Sequence, residues 1–230
     1  MQTEFQIISG ATTSHLSIDI STLVVAGWAG RDREAIEHHI EELAAIGVPR
    51  PSNVPLYYRI ASNQLTQDEF VQVVGPDSSG EIEIFVFSAD GELYVSIASD
   101  HTDRKLESHS VALSKQVCVK PAGRSAWLYA DVEDHWDELL IRAWIEENGK
   151  RVLYQEGPLS TLRTPRDLIQ GYLAGSGHSR LPDGTGMTCG TVGAIGGIRA
   201  STVFEMELHD PKRNLSLTHR YTVEVLPEVA

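Results

Sequence analysis

Cysteine, basic charge and long apolar runs are all scarce in this sequence, and each shortage excludes something. Two cysteines in 230 residues, Cys118 and Cys189, with no Cys-x-x-Cys and no Cys/His ligand spacing, support neither a disulfide framework nor a structural zinc site. They read as small thiols in a reducing compartment. Lysine and arginine total 19 against 32 aspartates and glutamates, a formal net charge of −13. Phosphate backbones are held by clustered Lys and Arg, and no such cluster is present, so no nucleic-acid partner is expected. No apolar run approaches the ~20 residues that cross a bilayer. Met1 to Phe5 lack the basic stretch and apolar core of a secretory signal. The expectation is a cytoplasmic protein with no membrane partner. Gly-x-Ser-x-Gly is missing, and so are Gly-x-Gly-x-x-Gly and the P-loop, which removes the usual signatures of serine nucleophiles and nucleotide cradles.

What the chain carries is strand patterning. Residues 5–8, 16–20 and 22–27 read as short strands. Residues 33–46 read as a helix, with Ile36, Ile40, Leu43 and Ala44 at helical spacing and Gly47 as its stop. Pro49, Pro51 and Pro55 impose an extended passage before a strand at 56–60. Residues 70–157 look mostly like strand, with a hairpin in which Asn148-Gly149 joins 139–145 to 150–154. A helix at 165–172, a glycine-rich stretch at 183–197 and strands at 201–208 and 217–226 complete the pattern. Trp127, Trp136 and Trp144 are assigned to the core. No linker divides the chain. A single domain, 1–230, is expected, with N-terminal strands and a helix at 1–65 and a β-rich core at 66–230.

Two acidic clusters stand out. Gly80-Glu81-Ile82-Glu83 opens the apolar run 84–87, and Ser99-Asp100-His101-Thr102-Asp103-Arg104 follows the run 94–98. Alternate side chains share a strand face, so Glu81 and Glu83 project together. The turn signal Ala89-Asp90-Gly91 folds the second run back on the first and brings Asp100 toward both glutamates. Two readings stand: the acidic solvent face of an amphipathic strand, or hard oxygen ligands for Mg²⁺, Mn²⁺ or Ca²⁺. A shifted register would put His101 or Asp103 in place of Asp100. His38 with Glu41, and His39 with Glu42, are i,i+3 pairs that can touch on a helix face. A carboxylate beside an imidazole suits a general base. The alternative is that these are plain solvent-facing residues.

In this order the motifs resemble the fumarylacetoacetate hydrolase superfamily. Glu81-Ile82-Glu83 is similar to the family's Glu-x-Glu, and Ser99 to Arg104 to its Asn-Asp-Val-Ser-Ala-Arg segment. Ser114-Lys115-Gln116 leading to Lys120-Pro121 resembles its Gly-Lys-Ser and Gly-Pro. The Trp144-to-Gln155 hairpin and the loop Thr188-Cys189-Gly190-Thr191-Val192-Gly193 resemble later family motifs. The chain departs from the family in a shorter Glu83-to-Asp100 spacing, in Gly184-Thr185-Gly186 where Gly-Asp is usual, and in the missing loop proline. It looks like a compact, divergent member.

The resemblance implies an α+β, β-rich fold, a bent mixed β-sheet roll with few short helices, and a homodimer. It implies a metal-dependent enzyme, with Glu81, Glu83 and Asp100 as ligands of a divalent ion, Mg²⁺ first and Mn²⁺ or Ca²⁺ as alternatives. It casts His38 and Glu41 as the water-activating pair and Lys115 and Arg104 as cations facing the reacting oxygens. Without the resemblance, those two cations are ordinary surface ion pairs. It places Tyr58, Arg59, Thr188 and Thr191 against the substrate. That substrate is a small oxo or diketo carboxylic acid, cleaved hydrolytically at a C–C bond through a metal-bound enolate. Decarboxylation, hydration and isomerisation share that enolate and stand as alternatives. A non-catalytic ligand-binding or subunit module on the same fold is the rival from another class.

Overall fold

The computed structural model describes residues 1–10, 12–45 and 50–229, and the side chains of these except at 35, 39, 42, 43 and 45. The chain begins with β1 (Gln2–Ser9), β2 (Thr12–Asp19), β3 (Thr22–Gly27), α1 (Arg33–Ala45) and β4 (Leu56–Ile60). Next come β5 (Leu65–Thr66), β6 (Phe70–Val74), β7 (Ser78–Ser79) and a hairpin of β8 (Ile82–Ala89) and β9 (Glu92–Ser99). β10 (Thr102–Asp103) leads into two short helices, α2 (Arg104–Glu107) and α3 (Val111–Gln116), then β11 (Lys120–Pro121) and β12 (Ser125–Leu128). The remainder is β13 (Leu140–Glu147), β14 (Lys150–Pro158), α4 (Pro165–Tyr172), β15 (Thr185–Thr188), β16 (Val203–Asp210) and β17 (Leu215–Leu226).

Two sheets carry the fold. The larger has the order β2-β1-β12-β9-β8-β15-β3-β4 and the smaller β14-β13-β16-β17-β6; both mix parallel and antiparallel pairs. The N-terminal strands do not form a layer of their own, because β1 pairs with β12 and β3 with β15. Both expected hairpins have two-residue turns with φ positive at each position: Asp90 (51°) with Gly91 (80°), and Asn148 (53°) with Gly149 (73°). That geometry is the one whose twist matches paired strands.

Strand β8 is buried along its whole length. Its period of two therefore sends side chains into two separate cores. Ile82, Ile84 and Val86 join Ile141, Phe204 and Leu217 between the sheets. Phe85 and Phe87 face the other way, with Phe5, Leu23, Val25 and Ala98, inside the curl of the larger sheet. The Phe5 and Phe87 rings stack there with centroids 4.2 Å apart. Gly186 makes this possible: a Cβ on it would sit 2.5 Å from the Phe85 ring, so β15 lies flush against β8 only without a side chain.

Two expectations change. Residues 104–116, inside the stretch read as mostly strand, form α2 and α3, whose first turns are capped by Asp103 and Ser110 accepting from Leu106 N and Leu113 N. Trp144 is only half-buried; it lies on the outer face of the smaller sheet, with the Arg151 guanidinium 3.7 Å above its ring.

Asp210, fully buried at the end of β16, accepts from His135 Nε2 (2.8 Å), Arg213 Nε (2.6 Å) and two backbone N–H groups. Burial alone would raise its pKa, but the His135 and Arg213 hydrogen bonds outweigh it and hold the carboxyl below its ordinary value. Its folded pKa lies below its unfolded one, so the contribution is present above the unfolded value and lost as pH falls through the folded one. Asp210→Asn is expected to cost roughly 3 kcal/mol near neutral pH, with the gap from wild type closing in acid, as urea unfolding at several pH values would measure.

Candidate metal centre

On β8 and the residue before it, positions 81, 83, 85 and 87 share one face, and on β9 and the residue after it so do 96, 98 and 100. Glu81, Glu83 and Asp100 thus continue, at the strand ends, the face that Phe85, Phe87 and Ala98 pack deeper in. The pairing Ile82↔Ser99 sets the register, and the Asp100 N–H donates to the Glu81 carbonyl at 2.9 Å. Each of the three carboxylates offers an oxygen within 4.8 Å of the others. Glu83 is 4 % exposed and Asp100 0 %, which overturns the solvent-face reading.

Cations surround the acids. Lys115 Nζ, from the last turn of α3, contacts Asp100 Oδ2. Lys120 Nζ, from β11, lies 3.1 Å from Asp100 Oδ1 and donates to the His101 carbonyl. The Arg104 guanidinium is 3.1 Å from Glu81 Oε1 and 3.0 Å from Glu107, and its Nε donates to Ser79 Oγ at 2.8 Å. Arg104 and Lys115 are largely buried, so neither is a surface ion pair.

These surroundings split the acids. Burial pushes the Glu83 carboxyl up to about 8, helped by the negative Asp100 beside it. Burial likewise raises Glu81, against the pull of Arg104 and Lys115. Asp100 goes the other way: burial would raise it, but Lys115 and Lys120 together hold it well below the carboxylate range.

Other expected residues fall into groups. Tyr58 faces the centre, with Lys115 Nζ 5.9 Å from its ring. Arg59, one residue on, points to the opposite face and donates to Tyr172 Oη at 3.2 Å, so the structure does not bring it to the acids. Thr188 is fully buried beside Glu83, yet its hydroxyl has no well-formed hydrogen bond. Thr191 accepts from Gln155 Nε2 at 2.8 Å. His38 and Glu41 are exposed on α1 and do not belong to the buried cluster. The side chains of the alternative pair, His39 and Glu42, lie outside the described residues. His101 cannot replace Asp100. Its two nitrogens are taken by Tyr221 Oη and Ser78 Oγ, both at 2.9 Å, and burial pushes its pKa down to about 3. Asp103 is spent as the α2 cap.

Sequence reasoning missed three contributors. Lys120 was visible only as the partner of Pro121 in a motif. The Gly190 N–H donates to Glu83 Oε2 at 2.9 Å, and Gln155 fastens the Thr191 loop to β8 by accepting from Ile82 N at 3.0 Å. Backbone donors leave no trace in residue type. The glycine at 190, with φ 87°, was the one available signal.

The donor set fits a hard divalent ion. It is all oxygen, it spans about the 4–5 Å that separates opposite ligands of a Mg²⁺ or Ca²⁺ ion, and the buried Thr188 hydroxyl beside Glu83 has no well-formed hydrogen bond. Such an ion must displace the proton that Glu83 holds below pH 8. Apparent affinity for Mn²⁺ should therefore rise about tenfold per pH unit toward pH 8 and level off above it. Calorimetric titration between pH 6 and pH 9 checks this; a flat profile would place the ion elsewhere.

Among the described residues, no helix is long and apolar enough to cross a membrane. No curated protein matches the chain in sequence. Solved structures match its fold. Cg1458 with inhibitor has 17 % identity over 93 % of this chain and 81 % of its own, with a TM-score of 0.65. The 2-keto-3-deoxy-D-arabinonate dehydratase complexed with magnesium and 2,5-dioxopentanoate has 16 % identity over 92 % and 75 %, with a TM-score of 0.64. The β-rich α+β roll expected from the resemblance is the fold observed. A family model matches residues 26–221, and the chain belongs to that family, described as a protein of unknown function, DUF2848.

Proposed function

We propose that the protein is a divalent-metal-dependent enzyme acting on a small oxo or diketo carboxylic acid, a divergent single-domain member of the fumarylacetoacetate hydrolase superfamily. The observation that carries this reading is the buried triad Glu81, Glu83 and Asp100, with Lys115 on the same aspartate. It is supported by the shared fold with a dehydratase complexed with magnesium and 2,5-dioxopentanoate. Mg²⁺ is the ion we assign. Bound among these carboxylates, it supplies a Lewis acid that polarises a substrate carbonyl.

The chain's own groups do the rest. Lys115 holds a fixed positive charge, because burial would lower its pKa but Asp100, Glu81 and Glu83 raise it further. It stabilises negative charge developing on a substrate oxygen. Arg104, anchored through Ser79 and Glu81, orients the substrate carboxylate. Tyr58 covers the Lys115 side of the site, and the Thr188 hydroxyl and the Thr191 loop supply polar contacts.

We place dehydration first, because the buried cluster favours it: it needs no added water. Hydrolytic C–C cleavage, with His38 and Glu41 activating the water, is the second reading, since that exposed pair on α1 lies outside the cluster. The homodimer and the cytoplasmic location implied by the resemblance belong to this reading as well.

Titration with Mg²⁺ or Mn²⁺ tests the centre. Glu81→Ala and Glu83→Ala are expected to abolish binding, and unchanged binding would sink the assignment. On a panel of oxo and diketo acids, Lys115→Ala should lower kcat by about 10²-fold or more with a smaller change in KM. His38→Ala should remove hydrolysis while sparing dehydration. A protein that binds the ion and turns over none of the panel is a ligand-binding module.

A further inference from the structure

In the ionised form that takes up an ion, the six side chains at the centre balance. Glu81, Glu83 and Asp100 then carry three negative charges; Arg104, Lys115 and Lys120 carry three positive ones. Glu107, at the rim beside Arg104, is partly exposed and screened by solvent. Of the three cations, Lys120 is the one with no exposure at all. It is held by β11, which pairs Lys120 with Leu65, and it lies on an aspartate that Lys115 already neutralises. A site built only to hold a divalent cation gains nothing from a second buried ammonium on one of its ligands, since like charges repel most strongly where water is excluded. The arrangement makes sense if negative charge arrives together with the ion.

Resting on the metal-centre reading above, we propose that Lys120 makes divalent-ion binding conditional on an anionic ligand, so that ion and carboxylate enter the site as a pair. The ion adds two positive charges to a balanced cluster. A chelating dianion restores the balance and a neutral chelator does not. Linkage makes the effect reciprocal: whatever factor the anion gives the ion, the ion gives the anion. This selects substrates that present two negative charges near the reacting carbonyl, or acquire the second as an enolate forms.

The test is calorimetric titration of Mn²⁺ into wild type, alone and with saturating oxalate or its neutral isostere oxamide, corrected for Mn²⁺–oxalate complexes in solution. Oxalate should tighten Mn²⁺ binding by about tenfold or more, and oxamide should not. Lys120→Met should bind Mn²⁺ alone about tenfold or more tightly than wild type, and its oxalate effect should shrink to about twofold. A lysine that merely supported the fold would, when replaced, weaken binding or leave it unchanged. Lys120→Arg, which keeps the charge, should retain the oxalate effect. If Mn²⁺ binds through Glu83 in wild type but oxalate changes nothing, the pairing is overturned and the metal centre stands. A folded Lys120→Met that binds Mn²⁺ no more tightly overturns it too. Should that variant fail to fold, the wild-type contrast between oxalate and oxamide decides. Absence of Mn²⁺ binding under every condition overturns both readings.

Discussion

Asp100 is a carboxylate with no exposure, and the architecture around it follows from that constraint. An ion removed from water costs several kcal/mol unless opposite charge and hydrogen bonds replace its hydration. Here two lysines do so, from different elements. Lys115 needs α3 to end at the aspartate, which needs the capped turns at Asp103 and Ser110 after the strand. Lys120 needs β11 docked on β5. Between them His101 is tied to Tyr221 and Ser78 and stays neutral, adding no charge to a crowded place. The short helices are therefore not decoration on a β fold; they deliver cations to it.

The larger sheet separates two jobs by strand face. One face of β8 builds the core between the sheets, and the other builds the core within the curl before giving way to acids at its end. The glutamates thus inherit the rigidity of the most buried strand without having to pack among its apolar side chains. Gly186 on β15 and Gly190 just beyond it complete the arrangement, the first by letting β15 approach Phe85, the second by turning its N–H to Glu83. A preorganised site on strands, rather than on loops, is what stabilising charge during a reaction requires.

Much of this was legible in the sequence. Local signals placed β3, β4 and α4 at their observed bounds and found both hairpins, because Asp90-Gly91 and Asn148-Gly149 state their turn geometry directly. Convergence of Glu81, Glu83 and Asp100 followed from strand alternation plus one turn. What the sequence hid were relations between elements distant in the chain. Nothing local distinguishes Lys120, which reaches Asp100, from an ordinary surface lysine. Nothing local separates Tyr58, facing Lys115, from Arg59, facing Tyr172, until the neighbour of β4 is known. Residues 104–116 fell inside a stretch read as mostly strand because their helices run only four and six residues, too short for periodicity to register, and are held by caps.

The hairpin turn at Asp90-Gly91 lies at the far end of β8 and β9 from the acids, and it sets an inheritance rule for the family. A sheet strand has parity: inserting or deleting one residue between the turn and Glu83 would carry the glutamate into the apolar core and expel Ile84 or Ile82 into the acidic end. Length changes at the tip, beyond the paired residues, leave that parity intact. Descendants of this chain are therefore free to lengthen or decorate the tip, while the paired segments between tip and acids can vary in side chain but hardly in length.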